Sequence, residues 1–265
     1  MNKSSIYSQF SLENKTYKLL SKERKSSIKT IQKLIDTSYP VDTETDVPKE
    51  AILLMDVVTV ADGTKTMIVE DYLQRKVISV QEIDAERVHI YRTNIEKFIK
   101  AGTKIRGIVV DGRSGVIPAL EEYAPVQMCH FHFVAIITRY LGKKRSKTFQ
   151  SLVLKYVSRA ALRMGQDAFL EFISLYEDMY ADYMNEKKIN PETGRPIYAH
   201  KRIRQAFKTL KRFKDNLFTF ECVEHMPNTT NSLDGKISTT KAKVNIHRGL
   251  KTDRKVRLFK YLIKR

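Results

Sequence analysis

Residues 51–60 read Ala-Ile-Leu-Leu-Met-Asp-Val-Val-Thr-Val, an apolar run of strand length broken by one carboxylate. Such a run predicts a buried strand. Residues 65–70 and 76–80 predict two more strands, with Ala61-Asp62-Gly63 as the turn between the first two. In 85–100 the apolar positions Val88, Tyr91, Ile95 and Phe98 or Ile99 recur at helical spacing. A further buried-type strand spans 105–110 and runs into Asp111-Gly112. A short helix at 119–123, a strand at 125–129 and an apolar helix at 131–141 follow. Three neighbouring strands followed by alternating helices and strands predict an α/β fold, a mixed sheet covered by helices.

The flanking regions carry a different pattern. Residues 12–20 and 26–35 predict two short helices, the second capped by Ser26 or Ser27, with Ile28, Ile31, Leu34 and Ile35 on one face. Lys29, Gln32 and Lys33 point away from that face, as in a helix-turn-helix, although any small helical hairpin reads the same way. Residues 37–49, with Pro40 and Pro48, read as a linker. Over 143–220 the strand pattern gives way to helical spacing, first in Phe169, Phe172, Tyr176 and Tyr183, then in Ile203, Phe207, Leu210 and Leu217. A loop at 190–196 separates the two sets, and the aromatic stripe is read as core.

Charge narrows the function classes. The 265 residues hold 48 Lys+Arg against 30 Asp+Glu, a formal net charge of +18, which favours a polyanionic partner. From 46 to 100 ten acids face eight bases, whereas 236–265 holds eleven bases and only Asp253. Two cysteines, Cys129 and Cys222, exclude a disulfide framework and point to a reducing compartment. With no membrane-length apolar run and no secretory leader pattern, a soluble cytoplasmic protein is expected.

Two acids carry the chemistry. A carboxylate at Asp56, inside an apolar strand, is costly unless paired, hydrogen-bonded or metal-bound. Asp111 ends a strand, where open α/β sheets place ligands. If the first and fourth strands are neighbours, the two acids converge, and a hard divalent cation relieves their repulsion. Read singly, Asp56 is a strand residue and Asp111-Gly112 an ordinary turn.

Four motifs then stand in order: LLMDVV with Asp56, GIVVDGRSGV with Asp111, CHFHFV with Cys129 and His132, and NTTNSLDG with Asp234 ahead of a basic tail. In this order the chain resembles a DDE-type transposase of bacterial insertion sequences, Mutator-like group, over roughly residues 47 to 265. The resemblance implies a ribonuclease-H-like core, 47–142, interrupted by a helical insertion, 143–225, and completed by 226–265 with the third acid on a helix. Residues 1–46 are then the helix-turn-helix-like segment and linker. Asp56, Asp111 and Asp234 become the catalytic ligands of two Mg²⁺ or Mn²⁺ ions, with Asp234 where the family usually has Glu. The activity implied is metal-dependent cleavage of double-stranded DNA at the element's ends and joining to a target. Such a protein works as a homodimer or larger assembly on nucleoid DNA. Two alternatives are a catalytically degenerate DNA-binding derivative and a nuclease without strand transfer.

Both cysteines open a Cys-x-x-His pattern, so Cys129, His132, Cys222 and His225 also make one candidate zinc set. The competing reading keeps only the first pair as the family motif, and the plainest makes both cysteines buried thiols. Candidate DNA contacts are Lys29, Gln32 and Lys33, then Arg113, Arg139, Lys143 and Lys144, then Lys201, Arg202 and Arg204, and last His247, Arg248 and Lys251.

Overall fold

A computed structural model of the chain describes residues 3–39, 47–142, 148–247 and 249–265. It begins with helices α1 (Lys3–Ser11), α2 (Tyr17–Glu23) and α3 (Ile28–Thr37). Strands β1 (Glu50–Ala61), β2 (Thr64–Asp71) and β3 (Lys76–Ile83) follow, then α4 (Val88–Lys100), β4 (Lys104–Val110), α5 (Val116–Leu120), β5 (Val126–Met128) and α6 (His130–Leu141). Next come α7 (Phe149–Met164), α8 (Gln166–Asn185), β6 (Lys187–Ile189), β7 (Pro196–Tyr198), α9 (Lys201–Phe213) and α10 (Thr219–Cys222). Helices α11 (Asn231–Ile246) and α12 (Thr252–Ile263) complete the order.

The expected mixed sheet is present, with order β3-β2-β1-β4-β5, antiparallel between β1, β2 and β3 and parallel between β4 and β5. With its flanking helices this is the α/β class, a mixed sheet covered by helices, that the strand order in the sequence implied. The chain divides into two compact units, one of Met1–Ile105 with Asn231–Arg265 and one of Arg106–Thr230.

In the first unit, β1 buries Ala51, Ile52, Leu53, Leu54 and Met55. Each of the four larger side chains contributes roughly 1.5–3 kcal/mol when fully buried. Register sorts the two faces. Asn94 of α4 donates to Gln81 at 3.1 Å and accepts from Ser79 at 3.1 Å, so α4 covers the face of odd-numbered β3 residues. Lys260 of α12 pairs with Glu82 at 2.6 Å and Lys236 of α11 with Glu70 at 2.8 Å, which puts both helices on the opposite face. Glu82 lies across from Thr66, and Ile68 across from Asp56, so Asp56 shares the face of α11 and α12.

Helices α1–α3 belong to this same unit. Tyr7 meets Tyr261 edge-on at 4.8 Å, and Asp36 accepts from Arg254 at 2.6 and 3.1 Å and from Arg257 at 3.4 Å. Three helices stand where the sequence predicted two. The helix expected at 12–20 starts only at Tyr17, because Asn14 takes φ +56 and the Thr16 side chain caps Leu19 N. Ser27, one of the two expected caps, accepts from Thr30 N at 3.1 Å.

The second unit is built on aromatic packing, as the helical stripe implied. Phe133 meets Phe169 at 6.0 Å, Phe169 meets Phe218 at 5.5 Å, and Tyr176 stacks on Phe207 at 5.4 Å. The Tyr176 hydroxyl donates to Gln150 O at 2.9 Å, satisfying its one polar group. The sequence reading of this region as wholly helical missed the β6–β7 hairpin around the 190–196 loop. All six of its strand residues are exposed, so no apolar alternation marks it.

Candidate functional site

Asp56 is half-buried in β1, and its Oδ1 accepts from Val57 N at 2.7 Å. Asp234 stands in the first turn of α11, which packs against β1, and a carboxylate is favoured at that end of the helix dipole. Beside them lies an acid that sequence reasoning missed. Glu70 is fully buried at the end of β2, where the β2–β3 register shifts, and its Oε1 accepts from Lys236 Nζ. Its Oε2 has no hydrogen-bond partner among the described residues. An acid closing an apolar strand was the available signal, the same one that singled out Asp111.

In the second unit Asp111 follows β4, half-buried, and its Oδ1 accepts from Arg113 N at 3.3 Å. A Cβ on Gly112 would come 2.6 Å from Met128 Cε and 3.1 Å from the Phe213 ring, so the backbone beside Asp111 fits only glycine without a shift. Cys129 precedes α6 and is buried, with Sγ 3.4 Å from both Thr230 N and Thr230 Oγ1. Burial raises the thiol pKa, but hydrogen bonds with His132 and Thr230 outweigh it and hold the thiol below its ordinary value. Cys222 is exposed, and His225, at φ +65, lies 3.3 Å from Glu224. The first Cys-x-x-His pair thus ties the start of α6 to a residue 101 positions later. Among the described residues no three His, Cys, Asp or Glu side chains gather into a group able to hold a metal ion.

The basic candidates divide. Lys29, Lys33, Arg113, Arg139, Lys201, Arg202 and Lys251 are exposed, and Gln32 is half-buried. Arg204 bonds Asn185 and lies 4.0 Å above the Tyr198 ring. Lys143, Lys144 and Arg248 lie outside the described residues. His247 is buried, its ring 4.3 Å from Phe10, so it faces the core rather than solvent.

Burial lowers the His247 pKa, and it does the same to His130, whose Nε2 sits 2.6 Å from Leu217 O. The unfolded chain therefore takes up protons at a higher pH than the fold. Stability is full above the ordinary histidine value near 6.5 and falls as the pH drops through it toward the lower folded values. Urea midpoints at pH 8 and pH 5.5 should show this fall, and His247→Phe should reduce it. A fall of unchanged size in the variant would assign the titration to other groups.

No known family model matches the chain, and no curated protein sequence does. Among solved structures, the Drosophila P element transposase strand transfer complex is similar over 100% of this chain and 92% of that one. Identity is 13% and the TM-score 0.38. Among the described residues no helix is long and apolar enough to cross a membrane.

Proposed function

We propose that the chain is a transposase-like, DNA-processing enzyme whose catalytic carboxylates are Asp56, Asp111 and Asp234. The observation that carries this reading is Asp56 itself, a half-buried carboxylate in an otherwise apolar strand, on the face covered by the helix that bears Asp234. The motif order and the +18 net charge support it. Carboxylate oxygens suit Mg²⁺ or Mn²⁺, which when bound supplies charge stabilisation for in-line attack on a phosphodiester. The described side chains do not stand gathered as a metal group. The chain's own part is to hold the backbone with its bases and to present three acids, with two copies joining on a pair of DNA ends.

A second reading, a DNA-binding derivative without catalysis, is favoured by Asp234, one methylene shorter than the family's usual Glu. Labelled duplexes bearing the element's own ends, incubated with the protein and Mg²⁺ or Mn²⁺, separate the readings. Cleavage followed by joining through a free 3′-hydroxyl supports the transposase. Cleavage without joining indicates a nuclease, and binding without cleavage the non-catalytic derivative.

A further inference from the structure

Bases line a cavity of about 420 Å³ in the first unit, between α11, the end of α12 and the β2–β3 turn. Its cations are Arg75, Lys76, Lys236, Lys243, Lys264 and Arg265, and no acid is among the lining residues. Thr239 and Thr240 bring two hydroxyls. None of these eight residues stood out in the sequence, where they lie scattered over 190 positions of a generally basic chain.

We infer that this cavity is a phosphate-binding site that grips the backbone of duplex DNA. The inference rests on the DNA-processing reading and adds the surface that does the holding. Glu70 offsets the charge of Lys236, and the lining as a whole stays rich in cations, which a polyanion complements. Two of them are fixed in place. Lys236 is held by the buried Glu70 and the Arg75 carbonyl. Arg75 stacks 4.0 Å above the Tyr72 ring and donates to its hydroxyl at 3.0 Å. Arg75 also takes φ +56, a left-handed conformation that is disfavoured for a residue bearing a side chain. Cations held in advance lose little freedom on binding.

Geometry favours backbone over a lone anion. Along α11 the cavity runs from Gly235, the neighbour of Asp234, to Lys243, about 12 Å at the helical rise, or some three base steps of a duplex. Four of the six cations are lysines, point charges that hold phosphates and read no base edge. The grip is therefore indifferent to sequence.

The test is the triple variant Lys76→Gln, Lys243→Gln, Lys264→Gln, which leaves the Lys236–Glu70 pair intact. Binding to unrelated duplexes is read by fluorescence anisotropy across a salt series without divalent metal, with melting as the check on folding. The expected result is about a tenfold loss for every duplex at physiological salt, and a salt slope shallower by one to two units. Tripolyphosphate should compete with DNA on the wild type and bind the variant far more weakly. Unchanged DNA affinity and slope, with no tripolyphosphate bound by the wild type, would overturn the site. Tripolyphosphate binding lost in the variant while DNA affinity holds would overturn the duplex assignment and leave a free polyphosphate as the ligand. Cleavage plays no part in either arm, so failure of the three catalytic acids cannot be confused with failure of this cavity.

Discussion

Asp56→Asn is expected to cut DNA cleavage about a thousandfold while leaving the fold as stable as before, or more so. The two effects have one origin. A carboxylate among the buried Leu53, Leu54 and Met55 resists desolvation, and such a cost persists where the charge is used. Asparagine keeps the side-chain shape and an oxygen able to accept from Val57 N, but removes the charge. Single-turnover cleavage measures the first effect and thermal melting the second. Lost activity with stability kept is the signature of a catalytic acid. A clear drop in melting temperature would instead make Asp56 a structural residue and sink the triad.

Lys236→Met should lower the apparent melting temperature by roughly 6–12 °C. The substitution strands the Glu70 carboxylate, which has no exposed surface and whose other oxygen has no hydrogen-bond partner among the described residues. Removing one partner of a buried ion pair costs about 3 kcal/mol, and each kilocalorie moves a chain of this size by some 2–4 °C. Adding Glu70→Met to the same variant should recover most of the loss, because an apolar pair of similar volume removes the uncompensated charge. If the double variant melts as low as the single one, packing of the lysine stem rather than charge holds the contact.

What the sequence made legible follows from how strongly each segment is patterned. Strand β1 announced itself because Ala51–Met55 is buried on both faces, which leaves an uninterrupted apolar run. Helix α9 was equally plain, since Ile203, Phe207 and Leu210 all turn inward among bases. Helix α1 was missed: its buried apolar side chains among the described residues are Ile6, Tyr7 and Phe10, set among serines and too few to establish a period. Asp56 and Asp111 were visible as carboxylates inside or closing apolar strands, whereas Asp234, on a helix, was reached only through the motif order. The basic cavity was not, because Arg75, Lys243 and Lys264 meet only through the packing of α11 and α12 on the sheet. Nor could spacing show that Cys129 is buried and Cys222 exposed.

One arrangement in this fold bears on its synthesis. The first unit is assembled from Met1–Ile105 and Asn231–Arg265, so β1 emerges from the ribosome about 170 residues before the helix that covers its Asp56 face. At 5–20 residues per second that is a wait of roughly 9–34 s. Arg106–Thr230, contiguous in sequence, can collapse during the interval. The half-finished sheet meanwhile keeps one face open to solvent. A nascent chain in that state is a natural client for a ribosome-bound chaperone until α11 arrives.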